Sequence, residues 1–129
     1  MEQINTVLGF QPIIPRLGEV KPADIVVRYN ADADTLSVHF FGLGQAAVSV
    51  DVNEYLYLRV NRESRRIVGI QIEGYLEFAV HDDPRWLAWA DLAGIDAQII
   101  ERVRSEISAD KKRTAALQTT FDELELTTP

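Results

Sequence analysis

Val48-Ser49-Val50-Asp51-Val52-Asn53-Glu54-Tyr55-Leu56-Tyr57-Leu58-Arg59-Val60 decides how this chain folds. Apolar residues alternate with others on both sides of Asn53-Glu54, and a period of two marks a half-buried strand. A three-residue loop, Asn53-Glu54-Tyr55, pairs Val52 with Leu56, Val50 with Leu58 and Val48 with Val60, so that every pair is apolar. A two-residue loop would set Val52 against Tyr55 and mix the faces, so the hairpin is predicted in the first register. In the common form of such a loop, its last residue, Tyr55, takes a left-handed conformation.

Outward from this hairpin the same period continues. Ile25–Tyr29, Leu36–Phe40 and Arg66–Ile72 read as further strands, rich in β-branched and aromatic residues. Asn30–Thr35, Gly42-Leu43-Gly44 and Asn61–Arg65 supply turn chemistry between them. Short strands joined by short loops predict an antiparallel β-meander of four to five strands over about residues 25–72, because parallel neighbours need a crossover of a dozen or more residues. Residues 73–80 fit a strand end or a short helix. Asp83-Pro84 opens a helix, with Asp as N-cap and Pro in the first turn, and Gly94 stops it. Asp96 caps a second helix whose stripe is Ile99, Ile100, Val103 and Ile107. Residues 109–120 extend the helical part, and the acidic, Thr-rich end from Phe121 is expected to fray or to dock on a neighbour. Residues 1–22, broken by Pro12, Pro15 and Pro22, form an irregular arm with apolar pairs such as Ile13-Ile14. Strands before helices predict an α+β class. The expected organisation is one domain, 1–129: arm (1–22), meander (25–72), and a helical part (83–120) packed on the apolar sheet face.

Composition narrows the function. The 129 residues include no cysteine, which excludes disulfides, zinc-thiolate sites and a cysteine nucleophile. No apolar run approaches the roughly 18–20 residues that span a bilayer, and Met1–Thr6 lacks the basic and apolar regions of a secretion signal, so a cytoplasmic location away from membranes is expected. The net charge is −7, which opposes approach to a phosphate backbone. Two basic clusters, Arg62/Arg65/Arg66 and Lys111-Lys112-Arg113, read first as solvated turn or helix charge.

Alternation also sorts the candidate site residues. One predicted face is apolar (Leu36, Val38, Phe40, Val48, Val50, Leu56, Leu58, Val68, Ile70, Ile72). The other carries Ser37, His39, Phe41, Ser49, Asp51, Tyr57, Arg59 and Gln71. His39, Asp51, Tyr57 and Arg59 combine apolar area with titratable, hydrogen-bonding tips, so they are the ligand-binding candidates of that face. No catalytic set is assigned, because mid-strand Ser37 and Ser49 have no oxyanion hole beside them. No metal and no cofactor is assigned either. His39 and His81 lack ligand spacing. Asn30-x-Asp32-x-Asp34 has Thr35 where a calcium loop needs Gly and Phe41 where it needs Glu. Gly42-Leu43-Gly44 leads into a strand instead of a phosphate-binding helix. Trp86 and Trp89 read as core packing, or as a dimer contact if exposed.

Tyr29-Asn30-Ala31-Asp32-Ala33-Asp34-Thr35-Leu36-Ser37-Val38 and Arg66-Ile67-Val68-Gly69-Ile70-Gln71-Ile72 resemble a family of small prokaryotic β-meander proteins of unknown function. Its members open with Tyr-Asp, then Asp-x-Leu-Tyr-Ile, and close with Gly-Arg-Ile-Val-Gly-Ile-Glu-Ile. The resemblance covers residues 29–72. It implies a β-meander and brings no activity and no catalytic residues.

The expected function is a non-enzymatic protein-interaction domain that self-associates, with a homodimer or another protein as partner. Two alternatives remain. One is a small-ligand or metal-dependent enzyme using the second sheet face, for which the four candidate residues must converge. The other is regulatory or antitoxin-like nucleic-acid binding, for which the two basic clusters must meet.

Overall fold

Residues 8–128 are described in the computed structural model. Residues 1–7, which include the start of the arm and the stretch read for a secretion signal, lie outside them, as does residue 129. The chain divides into two compact units, Met1–Gly94 and Ile95–Pro129, so the helical part expected over 83–120 is split at Gly94.

The first unit holds an open, five-stranded antiparallel sheet: β1 (Val26–Asn30), β2 (Thr35–His39), β3 (Val48–Asp51), β4 (Leu56–Val60) and β5 (Ile67–Glu73). Together with the helices it makes the chain α+β with antiparallel strands, as the sequence predicts. The spatial order is β1-β2-β5-β4-β3. Strands β3, β4 and β5 follow one another as a meander, and β5 then returns to lie beside β2, which is a Greek-key arrangement. The sequential meander is thus interrupted once, where residues 40–47 carry the chain from β2 past two strands to β3. Gly42 (φ +79°) and Gly44 (φ +88°) take the left-handed backbone this connection needs.

The central hairpin has the predicted register: Val48 faces Val60 and Val50 faces Leu58, and the Val52 amide donates to the Leu56 carbonyl at 2.9 Å. Tyr55 does not take the left-handed form; among the described non-glycine residues only Asp34 and Arg65 have positive φ. The reason is Asn53, whose Oδ1 accepts from the Tyr55 amide at 3.0 Å and the Leu56 amide at 2.8 Å. This side-chain turn closes the loop without strain on a bulky residue. The same device opens the other two hairpins. Asn30 Oδ1 accepts from the amides of Asp32 and Ala33, and Asn61 Oδ1 from those of Glu63 and Ser64.

The apolar face forms as alternation demands. Leu36, Val38, Val50, Leu58, Val60, Ile70 and Ile72 are buried. A bulge between Arg59 and Val60 pairs Val60 with Ile67, so Ile67 joins the core as well. Beyond β5 a π-helical turn (Tyr75–Ala79), α1 (Val80–Asp82) and a 3-10 turn (Pro84–Trp89) settle the ambiguous stretch as helical. Asp83 caps the 3-10 turn as predicted, accepting from the Arg85 amide. Trp86 and Trp89 are half-buried. The described part of the arm docks on its own unit, with the Ile13 amide donating to the Arg65 carbonyl and the Ile67 amide to the Ile13 carbonyl, at 2.8 and 2.9 Å.

The second unit is one helix, α2 (Ala97–Thr127), capped by Asp96 through the Gln98 amide at 2.7 Å. Ile100, Val103 and Ile107 are its buried residues. The end beyond Phe121, expected to fray or dock, is helical through Thr127.

Candidate functional site

Cross-strand register places the four candidate residues. Gly69 lies between His39 and Arg59, and Arg59 faces Ser49. In the next row Arg28, Ser37, Gln71, Tyr57 and Asp51 follow one another across the sheet. All four candidates therefore share the second face. Tyr57 and Asp51 are direct neighbours, and His39 and Arg59 flank a glycine. His39 on β2 and Asp51 on β3 are three strand spacings apart, about 14 Å, so the four spread across the face and do not converge on one point.

Gly69 is dictated by this geometry. A Cβ there would sit 2.5 Å from the Val38 carbonyl oxygen, closer than any side chain tolerates, so the strands approach only because the side chain is missing. The polar contacts of the face are long. Tyr57 Oη donates to Glu73 Oε2, and Arg59 Nη1 to Ser49 Oγ, both at 3.4 Å. Partial burial pushes the His39 imidazole pKa down, helped by the nearby guanidinium groups of Arg59 and Arg28. Glu73 and the Asp51 carboxylate push the Tyr57 phenol up. The face offers hydrogen bonds and charge of both signs on an open surface, with no aligned nucleophile and base. Among the described residues no three His, Asp or Glu side chains are grouped so as to hold a metal.

The basic clusters do not meet in one unit. Arg66 pairs with Glu19 at 3.0 Å and stacks on Phe41 at 4.5 Å, while Arg65 lies over the Phe10 ring at 5.2 Å. Phe41 thus serves a cation–π contact in the β2–β3 connection instead of the second face, and these arginines hold the arm. Lys111-Lys112-Arg113 lies on α2 in the second unit.

Two features lie beyond the sequence reading. The first is a tyrosine–carboxylate corner. Asp34 (φ +49°) accepts from Tyr29 Oη at 2.6 Å and from the amides of Leu76 and Glu77 at 3.0 Å. It therefore caps the π-helical turn from the β1–β2 turn, beside the end of β5. Tyr75 Oη donates to the Trp86 carbonyl at 2.6 Å, and Tyr55 Oη to Asp82 Oδ2 at 2.8 Å. Burial comes first among the causes that push the phenols of Tyr29, Tyr55 and Tyr75 up, with the neighbouring carboxylates next. The corner's three phenols and both oxygens of Asp34 make structural hydrogen bonds.

The second feature is on α2. From Asp110 onward every described side chain is exposed, yet Leu117, Phe121 and Leu124 are large and apolar, with exposures of 54%, 54% and 55%. Their spacing of four and three puts them on one side of the helix. That spacing is visible in the sequence; the solvation of the stripe is not.

No protein-family model, curated protein or solved structure matches the chain. No described helix is long and apolar enough to cross a membrane.

Proposed function

We propose that this protein is a non-enzymatic interaction domain that acts by self-association through the outer half of α2. The observation that carries this reading is the solvent-facing stripe Leu117–Phe121–Leu124 on a helix whose outer half, about 27 Å long, covers it with nothing of its own. Water around three large apolar side chains in one row is costly, and burial against a second surface removes that cost. The dispersal of His39, Asp51, Tyr57 and Arg59 weakens the enzyme reading. The engagement of Arg65 and Arg66 with the arm weakens the nucleic-acid reading. The cytoplasmic setting expected from the sequence belongs to the same proposal.

Light scattering coupled to size exclusion, run from low to high micromolar chain, tests this. The expected result is a mass that rises from one chain toward two. Phe121→Glu, at an exposed position, should hold the chain monomeric with an unchanged circular dichroism spectrum. A wild-type chain that stays monomeric throughout overturns the proposal.

A further inference from the structure

We infer that the occupant of this stripe is a second copy of the chain, with the two α2 helices antiparallel. The inference rests on the self-association reading and adds orientation and register to it. Ile100, Val103, Ile107, Asp110, Thr114, Leu117, Phe121, Leu124 and Thr128 recur at the three-and-four spacing of a coiled-coil seam, with Asp110, Thr114 and Thr128 as its polar positions. Ile100, Val103 and Ile107 of that seam are buried within the chain. The seam is open from Asp110 onward, and only that part can receive a partner.

Charge along the open part is polar. Asp110, which pairs with Arg113 at 3.1 Å, and Lys111, Lys112 and Arg113 make its start net basic, and Asp122, Glu123 and Glu125 stand near its end. A parallel partner sets like charge level with like. Its flanking pairs with both members in the open seam join Arg113 with Gln118 and Thr120 with Glu125, neither of them an ion pair, and the pair that would join Lys111 to Glu106 falls beside buried Ile107, where the seam is closed. An antiparallel partner sets the basic end of each copy against the acidic end of the other. The register that overlaps the whole open segment packs Leu117 of one copy on Phe121 of the other. It also places Lys111 and Glu125, both beside the seam, across from each other twice per dimer. Such exposed pairs add little affinity each, but they select among orientations of equal apolar burial.

Two measurements test orientation. In the first, Lys111→Glu sets glutamates opposite Glu125 and should weaken the dimer about tenfold, whereas K111E/E125K reverses both partners and should restore it. In the second, the cysteine-free chain allows single-site crosslinking. K111C and E125C chains mixed with a short bismaleimide should give a mixed covalent dimer, and K111C alone should give none. A parallel pair separates positions 111 and 125 by about 21 Å and crosslinks K111C to itself. A wild-type dimer with that second crosslinking pattern, or one in which E125K fails to rescue K111E, overturns the antiparallel inference and leaves self-association standing. A wild-type monomer removes both.

Discussion

The molecule uses the same chemical groups in two places with opposite results. At the corner, Tyr29, Tyr55 and Tyr75 make hydrogen bonds of 2.6–2.8 Å to a carboxylate or carbonyl, half-buried or better. On the second sheet face, Tyr57 and Arg59 reach their partners at 3.4 Å in the open. A tyrosine beside an acid is therefore no sign of a site. What separates the two is dehydration: where water is excluded each bond must be made well, and where water remains a loose contact is enough.

The largest effect is expected at Asp34. Asp34→Ala removes the acceptor of three hydrogen bonds and leaves two amides and a phenol to find water, at a cost of about 3 kcal/mol in urea unfolding. Asp34→Asn keeps the tolerance for positive φ and one acceptor, and should lose about half as much. Equal loss in both would show that charge, not acceptor geometry, distinguishes the corner. Gly69→Ala comes next and cuts across the comparison, because it lies on the open face. The 2.5 Å approach of its Cβ to the Val38 carbonyl forces β2 and β5 apart and should cost about 2–3 kcal/mol. If Gly69→Ala proves neutral, the two strands are held less closely than this register requires.

The contrast also explains what the sequence could show. Alternation within residues 48–60 carried the hairpin register, because a slip by one residue would expose Val50 and Leu58. It also put His39, Asp51, Tyr57 and Arg59 on one face. It could not show their separation, which depends on β5 inserting between β2 and β4, a pairing of distant segments. The link from Asp34 to Leu76 and Glu77 is of the same kind, since more than forty residues separate acceptor and donors. At Tyr55 a general loop preference lost to one side chain, Asn53. At the end of α2 composition left fraying and docking on a neighbour both open; the segment is helical, and the hydroxyls of Thr119, Thr120, Thr127 and Thr128 donate to carbonyls four residues back, which accommodates Thr there.

A smaller effect separates the two regions by pH. The phenols of Tyr29 and Tyr75 titrate above the ordinary value of 10.0 in the fold. An acid whose pKa is raised by folding is favoured in its neutral form, so its contribution is complete below pH 10 and is lost as pH rises beyond it. Urea midpoints should fall with increasing pH above 10, and Tyr29→Phe should flatten that fall more than Tyr57→Phe, because the Tyr57 phenol is raised chiefly by the Glu73 carboxylate in the open, where solvent screens the effect. A fall that Tyr57→Phe removes instead would place the dehydrated cluster on the sheet face.

The smallest expected effect is at His39, and it reports directly on whether the second face stays open. Its pKa is lowered from 6.5, so the fold favours the neutral imidazole. That preference contributes fully above pH 6.5 and is lost as pH falls through the lowered value, because protonation then becomes possible in the folded state too. NMR titration of the imidazole should give a midpoint below 6.5, and Arg59→Gln should move it only part of the way back, since burial is the larger cause. The midpoint should not depend on chain concentration if copies meet through α2. A midpoint that drops further as the chain associates means that association dehydrates the sheet face, and the interface then lies over His39 instead of Phe121.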